Sequence, residues 1–273
     1  MSLTRATFSS GVPLAVCVLI LAGCADDADP SPSDSRTGAG SSSSSPREPA
    51  LTLEGVDASV EKLIAEKYPE LEQVSDEAFQ AAVDDSSIDQ SRFMPGLNEN
   101  LTHKCWKESS GAGFTCLGWY DWPAEPAEPD LTCEGGRQLY YHRGINHNIS
   151  KRTYDARYRL TQRIQLSIVP EHFTSTEDGS GERTEGGYEA YFIDEYAHPG
   201  PAEADDAVTT TVVGRDAFQQ TADGEIIWVD YGELVMRNPQ PWGQSDDFDV
   251  VSGRWDLWED LESAAERMCA VFD

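Results

Sequence analysis

Residues 156–168 read Ala156-Arg157-Tyr158-Arg159-Leu160-Thr161-Gln162-Arg163-Ile164-Gln165-Leu166-Ser167-Ile168. Ala156, Tyr158, Leu160, Ile164, Leu166 and Ile168 occupy even positions, while Arg157, Arg159, Thr161, Arg163, Gln165 and Ser167 occupy odd ones. Side chains alternate across a strand, so this pattern predicts one long strand with a buried face and a wet face. Pro170 is expected to stop it.

On either side the chain reads as further strands. His103–Glu108 and Phe114–Tyr120 flank Ser109-Ser110-Gly111-Ala112-Gly113, a hairpin turn. Residues 122–130 hold three prolines and three acids and read as a surface loop. Arg137–His142 and Tyr188–Tyr196 are strands, with a polar, glycine-rich loop over residues 174–187. Residues 198–206, beginning His198-Pro199-Gly200-Pro201, end the second of these. Val208–Val213, Ala217–Gln220, Glu225–Asp230 and Glu233–Arg237 read as a meander, with Asp223-Gly224 as a tight turn. Helices are expected at both ends. Asp57 caps a short one with Val60, Leu63 and Ile64 on its face, ending before Pro69. Ser75 caps a second, with Ala78, Phe79, Ala82 and Val83 on one side. After a proline-rich break at 239–241, a long helix runs from about Ser252 to Val271, with Trp255, Leu257, Trp258, Leu261, Ala264, Ala265, Met268 and Cys269 on its face. The order helix–helix, many strands, helix predicts an α+β fold with a mainly antiparallel sheet.

The N-terminus has a different character. Val12–Ala22 is an apolar run about half as long as the ~20 residues of a membrane-spanning helix, the length of a signal-peptide core. It ends in Leu21-Ala22-Gly23-Cys24, followed at once by acids. This tetrad resembles the lipobox of bacterial lipoproteins. The resemblance implies cleavage before Cys24, a diacylglyceryl group on its sulfur, and residues 1–23 as signal peptide. Residues 24–50 carry no aromatic or large aliphatic side chain and include Ser41–Ser45. Such a segment cannot bury enough surface to offset its chain entropy and reads as a disordered tether. Residues 51–273 form the extracytoplasmic domain. In organisation the chain is similar to actinobacterial surface lipoproteins, and that similarity places it on the outer face of the cell membrane through its lipid anchor.

The chain has 273 residues, with 20 Lys+Arg against 49 Asp+Glu and a formal charge of −29. That balance excludes nucleic acid as a partner, because a phosphate backbone demands a basic surface. The domain holds Cys105, Cys116, Cys133 and Cys269. An even count in an exported chain points to two disulfides with three possible pairings. A zinc site is the alternative, but its close cysteine pairs are missing. Cys105 and Cys116 flank the first hairpin almost symmetrically and are expected to pair, leaving Cys133 with Cys269.

Catalytic motifs are sparse. Ser59-Val60-Glu61-Lys62 fits S-x-x-K without the companion motifs of penicillin-recognising enzymes, and no G-x-S-x-G, H-E-x-x-H or phosphate loop occurs. The five histidines have no metal-ligand spacing. Asp205-Asp206 and Asp246-Asp247-Phe248-Asp249 suggest calcium but lack the D-x-[DN]-x-[DN]-G loop, so they read as solvated acids. Trp106, Trp119, Trp122 and Trp242 raise glycan stacking, with core packing as the stronger reading. No cofactor and no metal are expected.

One feature points at a site. Arg137, Arg143, Lys151, Arg152, Arg157, Arg159 and Arg163 make a basic island with a single acid, Asp155, among them. Arg157, Arg159 and Arg163 are expected on one wet strand face, ready for an anionic envelope polymer or an acidic partner protein. The alternative is pairing with the protein's own carboxylates. The overall reading is a non-catalytic binding, sensing or envelope-assembly protein, with an envelope hydrolase lacking a readable motif as runner-up.

Overall fold

The computed structural model describes residues 51–93, 101–200, 208–237 and 247–273. Helices α1 (Leu53–Lys67) and α2 (Asp76–Ala81) precede ten strands. These are β1 (Thr102–Lys107), β2 (Gly113–Trp122), β3 (Glu128–Thr132), β4 (Gln138–Arg143) and β5 (Asn146–Asp155). They continue as β6 (Leu160–Thr174), β7 (Glu185–Gly200), β8 (Val208–Gln220), β9 (Ile226–Arg237) and β10 (Phe248–Trp255). Helices α3 (Asp256–Glu259) and α4 (Leu261–Val271) close the chain. All strands join one antiparallel sheet in the order β1-β2-β5-β6-β7-β8-β9-β10, and the β3–β4 hairpin attaches to the C-terminal part of β6. The fold is α+β with a mainly antiparallel sheet. The expected signal peptide, lipobox at Cys24, tether and 239–241 break, together with Trp242 and Asp205-Asp206, lie outside the described residues.

The sheet separates two cores. On one face, Leu63, Ile64 and Tyr68 of the α1 region and Leu71 and Val74 beyond it pack on Ile149, Ile164, Leu166, Ile193 and Val213. Thr52 caps α1, its hydroxyl accepting from Gly55 N at 3.2 Å. The helix therefore starts a turn before Asp57 and is 15 residues long rather than short. The earlier start brings fully buried Val56 onto Phe218 and Val229. Asp57, not needed as a cap, binds Arg215 of β8 at 2.6 Å. Ser75 caps α2 as expected, accepting from Ala78 N at 3.1 Å. That helix ends at Ala81, leaving Val83 77% exposed.

On the opposite face, Phe192, Val212, Leu234 and Met236 lie beneath Trp255 and Phe248. Further along, Ala264, Ala265 and Met268 of α4 pack on Leu139, Phe173 and Trp228. The expected single helix from Ser252 is corrected here. Residues 248–255 pair with β9, and the helical remainder divides at Asp260, whose φ of −153° is not helical. Asp260 instead caps α4, accepting from Ser263 N at 3.1 Å. Glycine permits the strand: Gly253 and Gly232 face one another at φ +89° and +116°. A Cβ on Gly253 would stand 1.9 Å from the Tyr231 carbonyl oxygen. L-residues rarely adopt such φ values, and only a missing side chain permits that approach.

The 156–168 stretch is also corrected. Residues 156–159 form the turn between β5 and β6, where Tyr158 has φ +64°. The strand runs from Leu160 through Pro170 to Thr174. Pro170 is tolerated because β5 pairs with β6 only as far as Ile168 and β4 only from Glu171. Its missing N–H falls in the gap between the two neighbours. The expected wet face is not wet: Arg163 is 8% and Ser167 1% exposed. The loop expected over 122–130 already holds the start of β3 at Glu128, and β7 continues through His198. The four short meander segments are two continuous strands, β8 and β9, with a bulge between Arg215 and Ala217 where a break was expected.

Both expected disulfides are formed. Cys105 and Cys116 lie opposite one another on β1 and β2, with Cα atoms 4.0 Å apart. Cys133 joins Cys269 of α4, fastening that helix to the β3–β4 hairpin.

Candidate functional site

The face opposite α1 changes character along single rows of paired residues. One row runs Gly118, Ser150, Gln165, Phe192, Val212, Leu234 across six strands. On β7–β9 it is a hydrocarbon core; on β5 and β6 it is polar, and on β2 Gly118 has no side chain. The next row begins Tyr120, Asn148, Ser167. These groups form a ladder of uncharged hydrogen bonds. Gln165 Nε2 donates to Asn148 Oδ1 and Ser167 Oγ, both at 3.0 Å. Ser167 Oγ donates to Asn148 Oδ1 at 2.5 Å, and Asn148 Nδ2 donates to Asn146 Oδ1 at 2.7 Å. Asn146 in turn donates to Tyr188 Oη at 3.2 Å. Asn146, Asn148, Ser150 and Ser167 are all at most 4% exposed. Above them Tyr120, Trp122, Gln165 and His103 are half-buried. The Tyr120 and Trp122 rings meet edge to face at 5.8 Å.

A charged row lies beside the ladder. Arg163 donates to Asp194 Oδ2 through Nε at 2.6 Å and Nη2 at 2.5 Å, and Thr210 donates to the other carboxylate oxygen at 2.7 Å. Arg152, 2% exposed, pairs with Arg163 across the strands. The basic island is thus divided. Arg163 is sealed in, Arg159 binds Asp155 at 2.6 Å, and Arg157 is exposed on the turn. Arg157 alone of the three has no carboxylate partner among the described residues, and the three do not share a strand face. Arg143 donates to Tyr188 Oη at 2.9 Å, Arg137 to the Cys269 carbonyl at 3.0 Å, and Lys151 to Gln73 at 2.7 Å.

No family model, curated protein or solved structure matches this chain. Its chemistry is read from its own geometry. Ser59 lies on α1 and donates to the Gly55 carbonyl at 2.8 Å, while Lys62 stands 4.0 Å from Glu66, so the S-x-x-K pair is spent on the helix. His142 Nε2 lies 2.7 Å from Thr174 Oγ1, but that hydroxyl donates to the Thr176 carbonyl at 2.6 Å. The imidazole must then donate to the hydroxyl, the reverse of a base activating a nucleophile. His142 stacks on His172 at 4.6 Å, and His147 binds Asp121 at 2.7 Å. Asp247 and Asp249 both bind Arg237, at 2.9 and 2.5 Å. No group of three or more His, Cys, Asp or Glu side chains among the described residues is placed to hold a metal ion. Trp119 lies on the α1 face and donates to Asp76 at 3.0 Å, a structural role.

The sequence reading missed two shielded carboxyls, Glu171 beside Tyr141 and Arg143, and Asp216 beside Trp258 of α3. Burial pushes Glu171 up to about 7, against the hydrogen bond from Tyr141 and the nearby charge of Arg143. Burial pushes Asp216 up to about 6, partly offset by a bond from Trp258. Folded pKa values above the unfolded ones mean that the folded state binds extra protons. Their stabilising contribution is complete below pH 4 and is lost as pH rises through about 6 and 7. Each loss is roughly 3 kcal/mol at 1.36 kcal/mol per unit. Glu171→Gln is therefore expected to raise the melting temperature at pH 8 and leave it nearly unchanged at pH 5. Thermal unfolding at the two pH values checks this; an equal shift at both would refute it.

Proposed function

We propose that the chain is an exported, lipid-anchored protein whose domain binds a component of the cell envelope and does no chemistry on it. The signal-peptide core ending in Leu21-Ala22-Gly23-Cys24 and the acidic, serine-rich tether support the anchor. The observation that carries the binding half is the Asn146–Asn148–Gln165–Ser167 ladder with Tyr120 and Trp122 above it. An apolar sheet face would suit packing alone. Networked buried polar groups are retained where they orient side chains for recognition.

A specific observation favours the runner-up, an envelope hydrolase: two buried carboxyls shifted toward neutrality are what acid–base catalysis uses. One measurement tests the anchor and a second separates binding from hydrolysis. Mass spectrometry of the mature N-terminus is expected to show cleavage before Cys24 and a lipid-sized mass increment on it; an unmodified Cys24 would reject the anchor. The mature chain is expected to sediment with insoluble envelope material without releasing soluble fragments. Release that stops in Glu171→Gln would establish the hydrolase instead.

A further inference from the structure

We infer that the face of β2, β5 and β6 opposite α1 is a binding site for a neutral carbohydrate chain. This inference rests on the binding function proposed above and names its ligand class. Three observations converge. The first is charge. The ladder contains amides and hydroxyls alone, in a chain of net charge −29 whose field discourages polyanions. The nearest charged row is closed by the Arg163–Asp194 pair. A ligand matched to this surface presents hydroxyls rather than phosphates or carboxylates.

The second observation is the rim. Tyr120 and Trp122, two residues apart on β2, place aromatic carbon beside the amides. A sugar ring has an apolar C–H face and a polar hydroxyl edge, and an aromatic–amide pair matches both. Gln165 supplies the polar half. Both protons of its amide nitrogen are taken by Asn148 and Ser167, which fixes the carboxamide. Among the described residues its carbonyl oxygen meets only the Tyr120 hydroxyl, at 3.4 Å, leaving a lone pair for a ligand hydroxyl.

The third observation is Ser150. It is fully buried on the same face, directly across from Gln165, and its hydroxyl has no hydrogen-bond partner among the described residues. Unsatisfied buried polar groups are uncommon, and each one asks for a reason. A hydroxyl-bearing ligand settling on Gln165 and Tyr120 brings a partner to this floor, directly or through a water.

The test is a tryptophan-fluorescence titration of the full-length mature chain in detergent. The probes are tetrasaccharides of β-1,4-linked glucose, β-1,4-linked N-acetylglucosamine and α-1,6-linked mannose, with inorganic polyphosphate as the charged control. Saturable binding to at least one sugar is expected, unchanged between about 50 and 500 mM salt because no charge is screened. Trp122→Ala and Gln165→Leu are each expected to weaken it about tenfold or more, as central aromatic and hydrogen-bonding anchors do. Trp122→Leu replaces the first variant if that one melts early. Binding that is undiminished in both variants, or binding to polyphosphate alone, overturns the site. Sedimentation with envelope material but no binding to any of the three sugars overturns the ligand class and leaves the binding function standing. Failure of both assays overturns the two together.

Discussion

Replacing Cys133 and Cys269 together by serine is expected to lower the unfolding free energy by about 5 kcal/mol. The same exchange at Cys105 and Cys116 is expected to cost about 3 kcal/mol. The two bridges close loops of very different size, with sequence separations of 136 and 11. In the chain-entropy account a cross-link acts mainly by removing freedom from the unfolded chain, so the larger loop contributes more. The folded state offers a control. Arg137 bonds to the carbonyls of Cys269 and Phe272 and to Asp273, so the end of α4 stays tied to the β3–β4 region without the sulfur bridge. Loss of stability then reports the unfolded chain rather than a detached helix. Urea unfolding of the two double variants checks this, with m expected to rise, more for the Cys133–Cys269 variant, because the freed unfolded chain exposes more surface. Equal losses would refute the loop-size account.

Much of the architecture was legible because strand signals are local. The β8–β9 turn at Asp223-Gly224 is formed as expected, with Gly224 at φ +84°. The Cys105–Cys116 bridge follows from strand register, since the two cysteines bracket one hairpin, and Cys133–Cys269 then follows by elimination. What failed was boundaries. Tyr158 fits an alternating pattern as well as any strand residue, and nothing local announces its left-handed φ. It is held by tertiary contacts: its ring stacks on Phe114 at 4.4 Å, and the Arg92 guanidinium lies 3.5 Å from the ring centre. Residues 252–255 fit a helix of spacing 3–4 equally well. The competing strand depends on Gly232, some twenty residues earlier, and could not be read from the segment itself.

The candidate site was less legible, for a related reason. Alternation says which residues share a face, not what that face meets. Asn146, Asn148, Ser150, Gln165 and Ser167 carry no motif. Polar residues at alternating strand positions are ordinarily solvent-facing, and their burial appears only when the sheet is assembled. One signal was available: Asn146, Asn148 and Ser150 alternate within β5 as cleanly as the residues of β6, with His147, Ile149 and Lys151 between them. The buried carboxyls were hidden in the same way, since Asp216 sits at a bulge and Glu171 follows the proline expected to end a strand.

The arginines separate the two accounts of the basic island most sharply. Arg163→Gln is expected to destabilise the domain by about 3–5 kcal/mol, because it leaves Asp194 buried with its main partner removed. Asp194 is 3% exposed and, with Arg163 gone, keeps the bond from the Thr210 hydroxyl at 2.7 Å. Arg159→Gln breaks a pair at the exposed turn, where the arginine side chain is 44% exposed, and is expected to cost at most about 1 kcal/mol. Arg157→Gln is expected to change stability by less than about 0.5 kcal/mol. The compensating change distinguishes charge from shape: Asp194→Asn in the Arg163→Gln background is expected to recover much of the loss, since no unpaired charge then remains. Melting temperatures of the four variants provide the check. Should Arg163→Gln prove nearly neutral while Arg157→Gln removes salt-sensitive binding to polyphosphate, the island is an anion site and the Arg163–Asp194 pair is incidental to the fold. With the ordering expected here, Arg163 of the long strand holds the charged row closed, and recognition falls to the uncharged ladder beside it.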